Sequence, residues 1–156
     1  MIKTLNPDWV RAVRERVNLS PYFSLQSMEI KELGWGTSRV EIALEEKHLQ
    51  PFGNVHGGVF SSLVDAAGFW ACYTELDPGL GMITVELKLN YLAPAKEGLL
   101  VGLGRSIKLG RTLGLADVRL EDGKGRLLAH GITTLMVMPD LRLRRQDHLP
   151  DKFPAG

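Results

Sequence analysis

Cysteine is nearly missing from this sequence: Cys72 stands alone in 156 residues. It allows no internal disulfide framework, and such sparing use fits a reducing compartment. Long apolar runs are missing too, since no stretch approaches the roughly 20 residues a membrane helix needs. The first segment, MIKTLNPDWVRAVRERV, spreads charges along its length and has no apolar core of signal-peptide size. A surplus of one charge sign is also lacking. The net charge is +1, which gives no electrostatic basis for binding nucleic acid or a membrane surface. The four histidines and the acids fall into no metal-ligand spacing, so no metal is expected. Internal repeats and low-complexity linkers are absent. These absences leave a cytoplasmic protein of one domain, residues 1–156, long enough to bury a sizeable core.

What is present has a clear order. NPDWVRAVRERVNL predicts a short helix over about residues 6–18, with Asn6 as N-cap and Pro7 at the first helical position. Two strands follow, SLQSMEIKELGWG and TSRVEIALEE, joined at a Gly-Trp-Gly turn. In the second, Val40, Ile42 and Leu44 share one face. From Gly58 to Leu76, apolar residues recur at helical spacing (Val59, Phe60, Leu63, Val64, Ala67, Trp70, Ala71). MITVELKLNYL then alternates, with Ile83, Val85, Leu87, Leu89 and Tyr91 on one side and Thr84, Glu86, Lys88 and Asn90 on the other. GLLVGLGRSIKLG and RTLGLADVRLED are strands rich in glycine, a sign of bulges or close backbone approach. RLLAHGITTLMVM is the last strand, after a DGKG hairpin turn. The polar, basic tail over about 140–156 reads as loosely ordered. Short links predict antiparallel pairing, and one long helix must bury its apolar surface against the sheet: an α+β layer.

One stretch raises a chemical question. QPFGNVHGGVFSSLVDAAGFW places His56 and paired glycines at a helix start, then a lone carboxylate, Asp65, in the helix's middle. A helix N-terminus offers unpaired N–H groups and a positive dipole end. Glycine lets a substrate approach that backbone. Gly57 and Gly58 therefore suit an anion hole for a developing oxyanion; equally, they suit a loop that must turn sharply into a helix. Around Asp65, the positions one turn away are Ser61, Ser62, Gly68 and Phe69, with Gly58 and Cys72 one turn further. Small side chains there permit close approach of a substrate or a partner helix. A carboxylate in such a partly dry crevice is a better base; the alternative is an aspartate on a solvated face, although this helix has few other charges. His56 is a candidate base or a turn cap. Cys72 reads as a small buried residue, His48 as a surface residue and His130 as a strand residue.

These segments resemble the PaaI-type acyl-CoA thioesterases of the hotdog fold, in which an antiparallel sheet wraps one long helix. The resemblance rests on NVHGGVFSSLVD, on NYLAPAKEG and on KLGRTLGLADVRLEDGKGRLLAHGITTLMV, in that order, and it covers nearly the whole chain. It implies hydrolysis of an acyl-CoA thioester, of an aromatic group such as phenylacetyl or of a medium chain. Gly57 or Gly58 would hold the thioester carbonyl oxygen. Asp65 would activate water or attack directly, and His56 would position the turn or the thioester. Thr84 could orient the water, and Gln50 stands where many relatives carry asparagine. Asn54, Ser62 and Phe69 are candidate substrate-binding residues, and Lys108 and Arg111 are candidates for the phosphates of coenzyme A. Coenzyme A is part of the substrate, and no separate cofactor is implied.

The glycine amide and Asp65 lie about two helical turns apart, roughly 10 Å along the axis, too far for one thioester carbon to touch both. Two antiparallel helices from a homodimer would bring one subunit's Gly57 to the other's Asp65, giving two shared sites. Pairing of such dimers into a homotetramer is common in the family. A non-catalytic acyl-CoA binding or regulatory module on the same fold is the alternative, although no DNA-reading element accompanies it. A hydratase on this fold is the third reading, against which the His-Gly-Gly start argues.

Overall fold

The computed structural model describes residues 3–154. Helix α1 (Pro7–Asn18) begins where the Asn6 side chain accepts the Asp8 N–H, and it buries Trp9, Val13 and Val17 on one face. A second helix, α2 (Pro21–Leu25), is a single short turn that buries Phe23. Strands β1 (Met28–Gly34) and β2 (Thr37–Ala43) form a hairpin. The long helix α3 (Gly57–Glu75) precedes β3 (Gly81–Tyr91), β4 (Leu99–Leu109), β5 (Leu113–Asp122) and β6 (Leu127–Met138). The sheet runs β1-β2-β4-β5-β6-β3, antiparallel throughout. It wraps α3, and this is the hotdog arrangement that the sequence predicted.

The core lies between α3 and the concave face of the sheet. Leu63, Val64, Ala67 and Ala71 of the helix are fully buried with Ile30, Val40, Ile42, Leu100, Val118, Leu120 and Leu135. The glycines of β4 permit this contact. A Cβ on Gly104 would stand 2.1 Å from the Ala67 carbonyl oxygen, which only a bare backbone tolerates. Beside it the buried Ser38 hydroxyl donates to that same carbonyl at 2.6 Å.

Three expectations are corrected. The alternation in β3 breaks at Val85, where the pairing with β6 shifts between Thr84 and Glu86. Two residues there oppose one, so Met82 and Thr84 face the helix before the bulge while Leu87 and Leu89 do so after it; Ile83 and Val85 are exposed. His48 is buried rather than on the surface: its Nδ1 accepts the Glu45 N–H and its Nε2 donates to the Gln26 carbonyl. The tail, read as loosely ordered, returns along α1 as far as the described residues reach. Asn6 bonds the backbone carbonyls of Asp151 and Lys152, and the buried Lys152 amine donates to the Tyr73 and Leu76 carbonyls at the end of α3.

Candidate active site

The start of α3 is built by three side chains. His56 is the N-cap, and its Nδ1 accepts the Gly58 N–H at 2.8 Å. This acceptor role puts the neutral ring's proton on Nε2. The Gly57 N–H, by contrast, has no acceptor among the described residues. Tyr91, at the end of β3, stacks on Phe60 and donates its hydroxyl to the Gly57 carbonyl at 3.0 Å. A Cβ at Gly57 would lie 3.0 Å from the oxygen of the exposed Tyr91 ring, so a larger residue there needs that ring to shift by a few tenths of an ångström. Of the two candidate amides, the one at Gly57 is thus left open while the one at Gly58 serves the cap.

Asp65 lies on the α3 face that the sheet leaves uncovered. Thr84 donates its hydroxyl to Asp65 Oδ1 at 2.8 Å, a contact that the β3 bulge makes by turning Thr84 toward the helix. Burial raises the Asp65 carboxyl above its usual value of 3.8, and the Thr84 hydrogen bond opposes that rise. The carboxylate opens on a groove of about 580 Å³. One wall is Tyr22, Phe23 and Met28, the other is Thr84 and Leu87, and the floor is α3 from Ser61 to Trp70. The small-residue stripe around Asp65 therefore divides. Ser61, Ser62 and Phe69 join Asp65 in the groove, whereas Gly68 packs on Thr133 and Val118, and Cys72 is buried with its thiol pushed up to about 11.

A half-buried carboxylate in an apolar groove, on a helix whose first amide is unclaimed, has the parts for hydrolysis of an activated acyl group. The family model of the thioesterase superfamily matches residues 52–129, which hold the loop, α3, β3, β4 and β5. A Saccharolobus solfataricus protein that bears an esterase name is 36% identical over 128 residues, covering 82% of this chain and 85% of that protein. The chain belongs to the thioesterase superfamily. Its chemistry is thioester hydrolysis. Acyl-coenzyme A thioesterase 13 of Mus musculus is 35% identical over 95 residues, 58% of this chain and 66% of that one. In fold, a thioesterase crystal structure from Haemophilus influenzae matches with a TM-score of 0.78 over 85% of this chain and 92% of its own, at 22% identity.

The remaining site candidates of the thioesterase fall in two places. Gln50 turns its side-chain oxygen back onto the Phe52 N–H of its own loop, and Asn54 closes that loop through its backbone carbonyl to the Gln50 N–H. Lys108 and Arg111 are exposed around the β4–β5 turn. The hairpin packs against the C-terminal half of α3, since Gly114 faces Cys72 and Met82. They are not gathered with Asp65 within one chain. Two residues of the site were missing from the sequence reading. The sequence pattern places Tyr91 only on a strand face. Tyr22 lies on α2, a helix that Ser20 followed by Pro21 could have announced, since proline is at home in a first helical position.

Proposed function

We propose that the chain hydrolyses acyl-CoA thioesters, with Asp65 as general base and the Gly57 amide as oxyanion donor. What supports this most is the pairing of Asp65 with Thr84 in the apolar groove. Thr84 occupies Oδ1 and fixes the carboxylate, so Oδ2 is the atom that takes the proton. A water held there attacks the thioester carbon as its proton passes to Asp65. The carbonyl oxygen gains the electron pair and is met by the Gly57 N–H. Collapse of this intermediate breaks the carbon–sulfur bond and expels the coenzyme A thiolate, leaving the free acid. In this role Thr84 positions the base rather than the water.

The two groups belong to different subunits in this reading. Gly57 and Asp65 lie roughly 10 Å apart along one helix axis. Strand β3 ends the sheet with a free edge and exposes Ile83 and Val85. An edge of that kind invites pairing with a second copy. A two-fold dimer across β3 sets the two α3 helices side by side and lets one copy's helix start face its mate's Asp65. Lys108 and Arg111 then serve the phosphates of coenzyme A, and the acyl group enters the groove. Release of free thiol from an acyl-CoA panel tests the assignment. Asp65→Asn should cost about 100- to 10,000-fold in kcat, the usual range for a lost general base. A folded Asp65→Asn protein that keeps its full rate would overturn it.

A further inference from the structure

The groove beside Asp65 has one wall that a short helix supplies, and that wall is latched. The Ser62 hydroxyl donates to the Gly58 carbonyl at 2.8 Å, which spends its single proton. The Tyr22 hydroxyl, 2.6 Å from the same Ser62 oxygen, is therefore the donor in that pair. A chain of two hydrogen bonds ties α2 to the first turn of α3. Tyr22 itself is half-exposed, and its neighbour Phe23 is buried and anchors the helix. Leu87, Ser61 and Ser62 line the same groove, the serines one helical turn before Asp65. Beyond Asp65 the lining is Ala66, Phe69 and Trp70. The phenol ring and Leu87 are thus bulky side chains of the groove that also holds the carboxylate. No other polar group reaches that wall from α2, since the remaining residues of PYFSL contribute none to the groove.

We propose that Tyr22 is the specificity-determining residue of this thioesterase: its ring, held over the groove by Ser62, limits the length and bulk of the acyl chain admitted beside Asp65. The proposal rests on the reading of Asp65 as the site of acyl-CoA hydrolysis. The Tyr22 hydroxyl bonds Ser62 while Asp65 takes its hydrogen bond from Thr84, so the size of the ring should act on which acyl group enters more than on the chemical step. A pocket wall of this kind discriminates chain lengths by about tenfold or more per fitted group.

The test compares kcat and KM for butyryl-, octanoyl- and myristoyl-CoA across the unaltered protein and three variants. Tyr22→Ala should raise the kcat/KM ratio of myristoyl- to butyryl-CoA about tenfold, and mainly through KM. Tyr22→Trp, which keeps a ring and enlarges it, should move the ratio the opposite way. Tyr22→Phe loses the latch but keeps the wall, so its ratio should lie between the unaltered protein and Tyr22→Ala. A role in folding alone would lower all three esters alike, and that result overturns the proposal, as does an unchanged ratio in folded Tyr22→Ala and Tyr22→Trp. Should the unaltered protein hydrolyse none of the esters, the fault lies with the assigned activity; hydrolysis with an immovable profile faults Tyr22 alone.

Discussion

Asp65 carries a cost that the fold accepts. Its folded-state carboxyl binds a proton more readily than an unfolded one, because burial disfavours the charge. The stabilising contribution of such a group is full below its unfolded value of 3.8 and is lost as pH rises through the raised folded value. At neutral pH the ionised side chain therefore works against stability. Asp65→Asn should unfold at a higher temperature than the unaltered protein at pH 7, and the difference should shrink in acid; calorimetry at the two pH values checks this. If Asp65 is the base, as proposed, the same shift moves catalysis. The rate should climb with pH through a midpoint above the ordinary aspartate range, and an acid limb at 3.8 would show that the titrating base is some other group. Gly57 offers a cleaner excision. His56, just before it, has φ −64° and ψ 135°, the conformation favoured ahead of proline, and Gly57 is the first helical residue, where proline fits. Gly57→Pro removes one N–H while the half-exposed Tyr91 ring gives way. It should lower kcat about 100- to 1,000-fold with the fold intact by circular dichroism.

The elements differ in how far the sequence announced them. Helix α3 and strand β2 follow from apolar spacing, because their apolar positions recur at the period of the element; β5 was legible as a glycine-rich strand, and its glycine meets α3 and β3. The β3 bulge left no such trace. MITVELKLNYL alternates along its whole length, and the break at Val85 arises from how that strand registers with β6. So the pairing of Asp65 with Thr84, nineteen residues apart, was legible as two candidates but not as one hydrogen-bonded unit. Tyr91 and Tyr22 were hidden for a related reason: each reaches α3 only through tertiary packing. The C-terminal segment is a sharper case. A basic, proline-containing stretch has the composition of a loose end, yet Lys152 sets its amine over the Trp9 and Tyr73 rings and caps α3. Burial drops its amine from 10.5 to about 8; Lys3 adds to the fall, and Asp77 and Glu75 oppose it. A lysine depressed in the fold contributes stability that is full above 10.5 and lost as pH falls through about 8. The melting temperature of the unaltered protein should therefore gain on that of Lys152→Met as pH rises across this window. A gap that stays constant would mean that the amine is hydrated and the tail undocked.

At the scale of the molecule, the proposed chemistry depends on two chains meeting. If each site takes Gly57 from one copy and Asp65 from its mate, no single chain can complete a site. Gly57→Pro and Asp65→Asn chains then fail for complementary reasons. Each mutant homodimer has two defective sites, one kind lacking the amide and the other the base. A mixed dimer holds one site with both defects and one with neither, since the intact Gly57 of the Asp65→Asn chain faces the intact Asp65 of the Gly57→Pro chain. Random exchange of subunits at equal concentration makes half of the dimers mixed. The blend should thus regain about one quarter of the unaltered activity from two nearly inactive stocks. Co-refolding from denaturant drives the exchange, and mixing without unfolding is the control. If amide and carboxylate came from the same chain, both mutations would stay with their own sites and blending would restore nothing. Sedimentation of the unaltered protein completes the argument, because a monomer at assay concentration with full turnover would contradict the shared site however the blend behaved.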